Sequence, residues 1–204
     1  MNLEKISRYF EPKRVLDIGA NIGQFRTDFL KCYPEAFVYS IEANSNCEEK
    51  LKELTSDYSI ALLCKDDREY EFYKLKQDPF CTGNSIYREL TDHFNLDQNI
   101  EKENIKAKTL DSFNFDCFDL IKIDTQGSEI DIMIGGISLC ACAKGILLEV
   151  SLNEYNDKAP LKEEVNKFMR SINFVPFEIL DHNHYVNQQD ILYLNLNYIV
   201  PLLR

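Results

Sequence analysis

The chain has 204 residues, 45% of them hydrophobic, and carries 34 acidic against 23 basic side chains for a net charge of −11. That length can bury a sizeable core without metals or cross-links, and an acidic chain without clustered Lys and Arg is not a generic nucleic-acid binder. No stretch reads as a secretory signal or a membrane span, so the expected setting is cytoplasmic with no membrane partner.

Seven cysteines, an odd number without paired C-x-x-C spacing, predict small core residues rather than disulfides or a zinc site. Cys140 and Cys142 lie too close along a helix to face one way. In chain order, Leu3, Ile6 and Phe10 have helical spacing and predict an N-terminal helix within residues 1–13. Val15 to Gly23 (VLDIGANIG) then reads as a strand that reaches Asp17, turns through Gly19 to Gly23 and opens a helix with Phe25, Phe29, Leu30 and Tyr33 on one face, stopped by Pro34. A second apolar run, Phe37 to Ile41, ends at Glu42. A carboxylate 23 residues after Gly19 stands where a strand–turn–helix–strand unit holds ribose hydroxyls.

The turn also selects among nucleotides. A dinucleotide fingerprint places Gly where the backbone meets the pyrophosphate, and here Asn21 follows Gly19 and Ala20 at that point. Asn tolerates the left-handed conformation and offers its amide to a less charged ligand. S-adenosylmethionine answers that description: an adenosine for Glu42, no phosphate, and a zwitterionic methionine end for backbone amides.

Next, Ser45 and Glu48 have the spacing of a capping box before a helix striped by Cys47, Leu51 and Leu54, and Tyr58 to Cys64 reads as a third strand. Residues 65–110 break the strand–helix alternation and form an insertion: a strand over Tyr70 to Leu75, a loop marked by Pro79 and Gly83, a short helix over Asn84 to Phe94, and a strand over Ile105 to Leu110. Such an insertion suits a lid or a substrate wall, or else only covers a sheet edge. Alternation resumes with a strand ending at Asp124, a helix over Glu129 to Ala143, a strand over Gly145 to Val150, and a helix after Pro160 whose stripe is Leu161, Val165, Phe168, Met169 and Ile172. Two strands, Phe174 to Leu180 and Asp190 to Leu196, complete the chain as an antiparallel pair. The whole reads as one domain, 1–204, with a largely parallel sheet covered by helices on both faces.

Lys122 sits inside a strand that should be buried, on the side of Asp124, and a buried ammonium must be paired. Asp124 at the carboxyl end of its strand faces the crevice of an open α/β sheet, with Glu129 opening the next helix, so Asp124, Lys122 and Glu129 are the candidate catalytic set. A purely structural ion pair is the alternative. A second reading has Asp124, Glu129 and Glu149 converge on a divalent cation, but no tight ligand spacing supports it and no metal is assigned. His182 and His184 share a face if extended, yet read as solvated turn residues; His93 has the chemistry of a base near neutral pH.

Five segments together carry a resemblance: Val15–Gly23, Ser40 to Ala43 (SIEA), Thr109 to Phe113 (TLDSF), Ile121 to Glu129 (IKIDTQGSE) and Leu147 to Val150 (LLEV). The chain resembles the FkbM family of S-adenosylmethionine-dependent methyltransferases, which implies a Rossmann-like α/β fold with a mostly parallel seven-stranded sheet, the last strand antiparallel, and the insertion between the third and fourth core strands. The resemblance assigns Asp17, Gly19, Ala20, Asn21, Gly23, Glu42 and Ala43 to the cofactor, with Cys64 and Lys65 beside the adenine, and places Asp124 beside the methyl group. Gln126 stands where similar proteins often carry Glu, and Cys64 where relatives often carry a polar residue, which brings Lys65 or Asp66 forward as its substitute. The function so implied is methyl transfer from S-adenosylmethionine to a hydroxyl of a small-molecule or carbohydrate acceptor. A nicotinamide-dependent oxidoreductase and a catalytically silent cofactor-binding or interaction protein remain as alternatives.

Overall fold

A computed structural model describes residues 1–92, 94 and 96–199. Among the described residues there are nine strands: β1 (Arg14–Ile18), β2 (Phe37–Glu42), β3 (Tyr58–Ile60), β4 (Glu69–Leu75), β5 (Ile100–Lys106), β6 (Leu120–Ile123), β7 (Gly145–Ser151), β8 (Phe174–Asn183) and β9 (Gln188–Asn195). Seven form one sheet in the order β3-β2-β1-β6-β7-β9-β8, and β4 with β5 forms a separate antiparallel pair. The β1, β2, β3, β6 and β7 pairings are parallel. The last strand, β9, runs antiparallel to both neighbours, β7 and β8. This is the expected Rossmann-like α/β sheet, and strand order reverses between β1 and β6, where open α/β sheets bind their ligands.

The period of two fills both faces. Leu16, Ile18, Ile121, Ile123, Ile146 and Leu148 pack on one side with Met133, Cys140, Val165 and Met169. Val15, Leu120, Leu147, Leu192 and Leu194 pack on the other with Phe29 and Tyr33. The helices are α1 (Gln24–Cys32), α2 (Glu48–Leu54), α3 (Glu129–Gly135), α4 (Ile137–Cys142), α5 (Lys162–Ser171) and α6 (Leu196–Ile199).

Several elements differ from the sequence reading, each for a local reason. The N-terminal helix is a 3-10 helix over Leu3–Arg8, although Leu3, Ile6 and Phe10 are buried as their spacing requires. The side-chain cap falls on Asn44, which accepts from Asn46 N at the start of a 3-10 turn over Ser45–Cys47 that leads into α2, rather than on Ser45. The strand expected to reach Cys64 ends at Ile60, and Leu63 then bridges Lys108.

The helix expected over Asn84 to Phe94 is absent from the described residues there, because their backbone groups are taken by distant partners: Ser85 bridges Tyr73 within the insertion and Glu89 bridges Asn156 beyond it. The strand expected from Ile105 to Leu110 begins earlier, at Ile100, because its partner is β4, and Leu110–Phe113 is a 3-10 helix. The helix expected to run unbroken to Ala143 is two, since Asp111 accepts from Ser138 N at 3.1 Å and Leu139 N at 3.0 Å and so caps a fresh start at α4.

The cysteine expectation also fails at one place: Cys117 and Cys142, both at the surface, form a disulfide with Cα atoms 5.8 Å apart, leaving Cys32, Cys47, Cys64, Cys81 and Cys140 free. Two residues 25 apart along the chain have no spacing motif to betray them. His182 lies in β8 with its ring 3.8 Å from that of His184, not in an open turn. His93 lies outside the described residues.

Candidate active site

The carboxyl ends of β1, β2 and β6 open on a cavity of about 590 Å³. The turn after β1 has the geometry its sequence requires: Gly19, Asn21 and Gly23 have φ of +76°, +48° and +86°. A Cβ on Gly19 would stand 1.8 Å from the Asp124 carbonyl oxygen, so only glycine lets the two loops meet. Gly23 caps α1.

Glu42, at the end of β2, accepts from Asn21 N and from Asn44 N, both at 2.7 Å. Burial raises its proton affinity and these two amides oppose the rise. The Asn21 side chain does not face the cavity with free donors. Its Nδ2 donates to Phe80 O at 3.0 Å, and Asn44 Nδ2 donates to Pro79 O at 2.8 Å. The insertion is thus fastened over the turn by two side-chain amides. It is fastened at the other end too, where Ser85 Oγ donates to Thr125 O at 2.8 Å and Gln126 O at 3.0 Å.

Lys122 is buried, as its place in the strand demanded, and it is paired. Asp17 is its register neighbour across β1 and β6, with Asp17 Oδ1 at 3.4 Å from Lys122 Nζ, and Asp124 Oδ2 is at 3.3 Å. The ammonium also donates to Gly19 O at 3.2 Å. Burial alone would lower the Lys122 pKa, but Asp124 and Asp17 outweigh it and hold the ammonium charged. Burial raises Asp17 despite Lys122. Glu129 serves the loop rather than Asp124: Oε1 accepts from Thr125 N at 2.9 Å, and its carboxylate accepts from Gly127 N.

Beyond Asp124 lies a polar group that the sequence pointed to only in part. Gln126, in the left-handed region at φ +57°, donates through Nε2 to Asp124 Oδ1 at 3.1 Å and to Glu149 Oε2, and its Oε1 accepts from Gln188 Nε2 at 3.3 Å. Burial, then Asp124, Asp190 and Glu129, raise Glu149 well above the usual carboxylate range, and burial with Asp124 lifts Asp190 to about 7. Glu149 follows the last β7 residue paired to β6, Leu148, just as Asp124 follows Ile123, the same signal that singled out Asp124. Gln188 and Tyr155 reach the cavity from segments with no motif.

Of the residues assigned in advance, Gly19, Ala20, Asn21, Glu42, Ala43, Lys122 and Asp124 line the cavity. Asp17 and Glu129 stand one layer behind it, through Lys122 and the 125–127 loop. Cys64 and Lys65 do not line it: Cys64 is buried under Tyr70, and Lys65 Nζ pairs with Asp131 at 2.9 Å. Ala61, Leu62, Leu63 and Phe72 form the apolar wall instead. Among the described residues no group of three or more His, Cys, Asp or Glu could hold a metal ion, and no helix is long and apolar enough to cross a membrane.

The fold is shared with solved structures at low identity. An FkbM methyltransferase from Methylobacillus flagellatus KT is 14% identical over 90% of this chain with a TM-score of 0.58, and this chain spans only 44% of that one. A chain of a fibrillarin/Nop5p complex is 15% identical over 94% of this chain and 79% of its own, with a TM-score of 0.52. No curated protein sequence matches the chain. The sequence of residues 17–176, which carries the turn, Glu42, Asp124 and Glu149, matches the methyltransferase FkbM domain model, and this chain therefore belongs to the FkbM methyltransferase family.

Proposed function

We propose that this chain transfers a methyl group from S-adenosylmethionine to a hydroxyl of a small-molecule or carbohydrate acceptor. The observation that carries the reading is the meeting, in one cavity at the strand-order reversal, of a left-handed Gly19–Asn21 turn, the Glu42 carboxylate and the Lys122–Asp124 pair.

The donor set suits that cofactor. Glu42 retains lone pairs for ribose hydroxyls, Ala43, Leu62 and Phe72 offer an apolar wall for adenine, and the carboxylates past Asp124 suit a positive sulfonium. S-adenosylmethionine supplies an already activated methyl group, so the protein's work is to align the acceptor oxygen and exclude water. Asp124, anchored by Lys122 and Gln126, orients the acceptor hydroxyl, and the insertion forms the wall over it. Asn21 in place of a pyrophosphate-facing Gly weighs against a nicotinamide cofactor.

Titration calorimetry with S-adenosylmethionine, S-adenosylhomocysteine and NAD tests the donor: binding of the first two and not the third is expected. Asp124→Asn should keep donor affinity while lowering turnover by about 10²-fold or more. Tight NAD binding with no heat from the sulfonium would sink the reading.

A further inference from the structure

Building on the methyl-transfer reading, we propose that Glu149 is the base that receives the acceptor's proton, while Asp124 only orients the acceptor hydroxyl. β6 and β7 run parallel with Ile123 beside Leu148, so Asp124 and Glu149 leave adjacent strand ends side by side, and Gln126 Nε2 donates to both. Both line the cavity.

Their surroundings divide the work. Asp124 is held by the Lys122 ammonium at 3.3 Å and by Gln126 Nε2 at 3.1 Å, contacts that fix its carboxylate in place as a hydrogen-bond acceptor for the substrate hydroxyl. Glu149 makes no ion pair among the described residues. It faces Asp124 from the end of β6, Asp190 from β9 and Glu129 from the start of α3, with the Lys122 ammonium and the Tyr155 phenol further off. Burial among like charges raises its proton affinity well above that of an ordinary carboxylate, and a more basic carboxylate is the better proton acceptor.

In the step, an acceptor oxygen lone pair forms the new C–O bond to the methyl carbon. The C–S bond breaks with its electron pair returned to sulfur as a neutral thioether, and the hydroxyl proton passes to Glu149. The positive sulfonium and the negative carboxylate are consumed together.

The test uses the full chain with S-adenosylmethionine and three simple polyols, glycerol, inositol and methyl glucoside, as acceptors across about pH 5 to about pH 9. A parallel infrared titration follows the protonated-carboxyl band of the protein with S-adenosylhomocysteine bound. Wild-type turnover should rise with pH to a plateau. Glu149→Gln should keep donor affinity within about threefold and an unchanged near-ultraviolet dichroism spectrum, lose turnover by about 10²–10⁴-fold, lose the rising limb, and lose the carboxyl band that titrates above the usual range. Asp124→Asn should retain that band, shifted to lower pH. Asp190→Asn should shift the limb to lower pH without removing it.

A limb and band that survive Glu149→Gln, or a limb that vanishes in Asp190→Asn, overturn the base alone. Donor binding without methyl ether from any of the three polyols overturns the methyl-transfer reading and this base with it.

Discussion

Lys122 shows how one side chain can be read from sequence and still do more than the reading asked. Its place within β6 required a partner, and Asp124 was the one that period-two spacing supplied; Asp17, its neighbour on the next strand, could be paired to it only once β1 was known to lie against β6. Asp17 is fully buried, so removing the ammonium leaves a carboxylate without its counter-charge. Lys122→Met should therefore cost about 3–5 kcal/mol, measured by denaturant unfolding. The double variant Asp17→Asn with Lys122→Met should recover much of that loss. Equal stability of Lys122→Met and wild type would show that the pair contributes little to holding β1 and β6 together.

The turn was legible at the same scale because glycine and asparagine at φ near +50° to +90° have few substitutes. Cys64 and Lys65 were not, because which side of a short strand faces a cavity depends on where β3 ends. It ends at Ile60, before the period could be extended to them.

Among elements, the parallel strands and α1, α2 and α5 could be read from apolar periodicity, since each buries the apolar residues at the centre of its stripe, Phe29 in α1, Leu51 in α2, and Val165 and Met169 in α5. Elements fixed by distant partners could not. The break between α3 and α4 follows from Asp111, the hairpin from pairing of β5 with β4, and the coil over 84–92 from bridges to Tyr73 and Asn156. The Cys117–Cys142 bond belongs to this class. It ties the approach to β6 to the end of α4, and closing a loop of that length contributes about 2–4 kcal/mol. Thiol titration of the denatured, unreduced chain should find five free thiols, rising to seven after reduction, and Cys117→Ser should lower the unfolding free energy by about that amount. Seven free thiols without reduction would show the two cysteines unjoined. The count also bears on compartment, because such bonds persist in oxidising surroundings more than in the cytoplasm expected from the sequence.

At the scale of the whole molecule, the acidic surplus is not spread evenly: Asp17, Glu42, Glu129, Glu149 and Asp190 are gathered at one end of the sheet, and burial raises each of them. A carboxyl with a raised folded-state pKa stabilises the fold below its unfolded value and loses that contribution as pH rises through the folded one. For Asp190 the window runs from 3.8 to about 7. The thermal midpoint should fall across that range in wild type and fall less in Asp190→Asn, each kcal/mol corresponding to about 2–4 °C in a chain of this size. Identical slopes in the two proteins would remove Asp190 from the effect.

The stitching of residues 79–85 has a thermodynamic corollary. One short stretch of chain is moored through Asn21 and Asn44 at the Glu42 end of the cavity and through Thr125 and Gln126 at the Asp124 end. A guest that tightens or slackens one mooring shifts the other, and linkage makes the influence mutual: whatever factor a ligand at one end imposes on affinity at the other, the second ligand returns to the first.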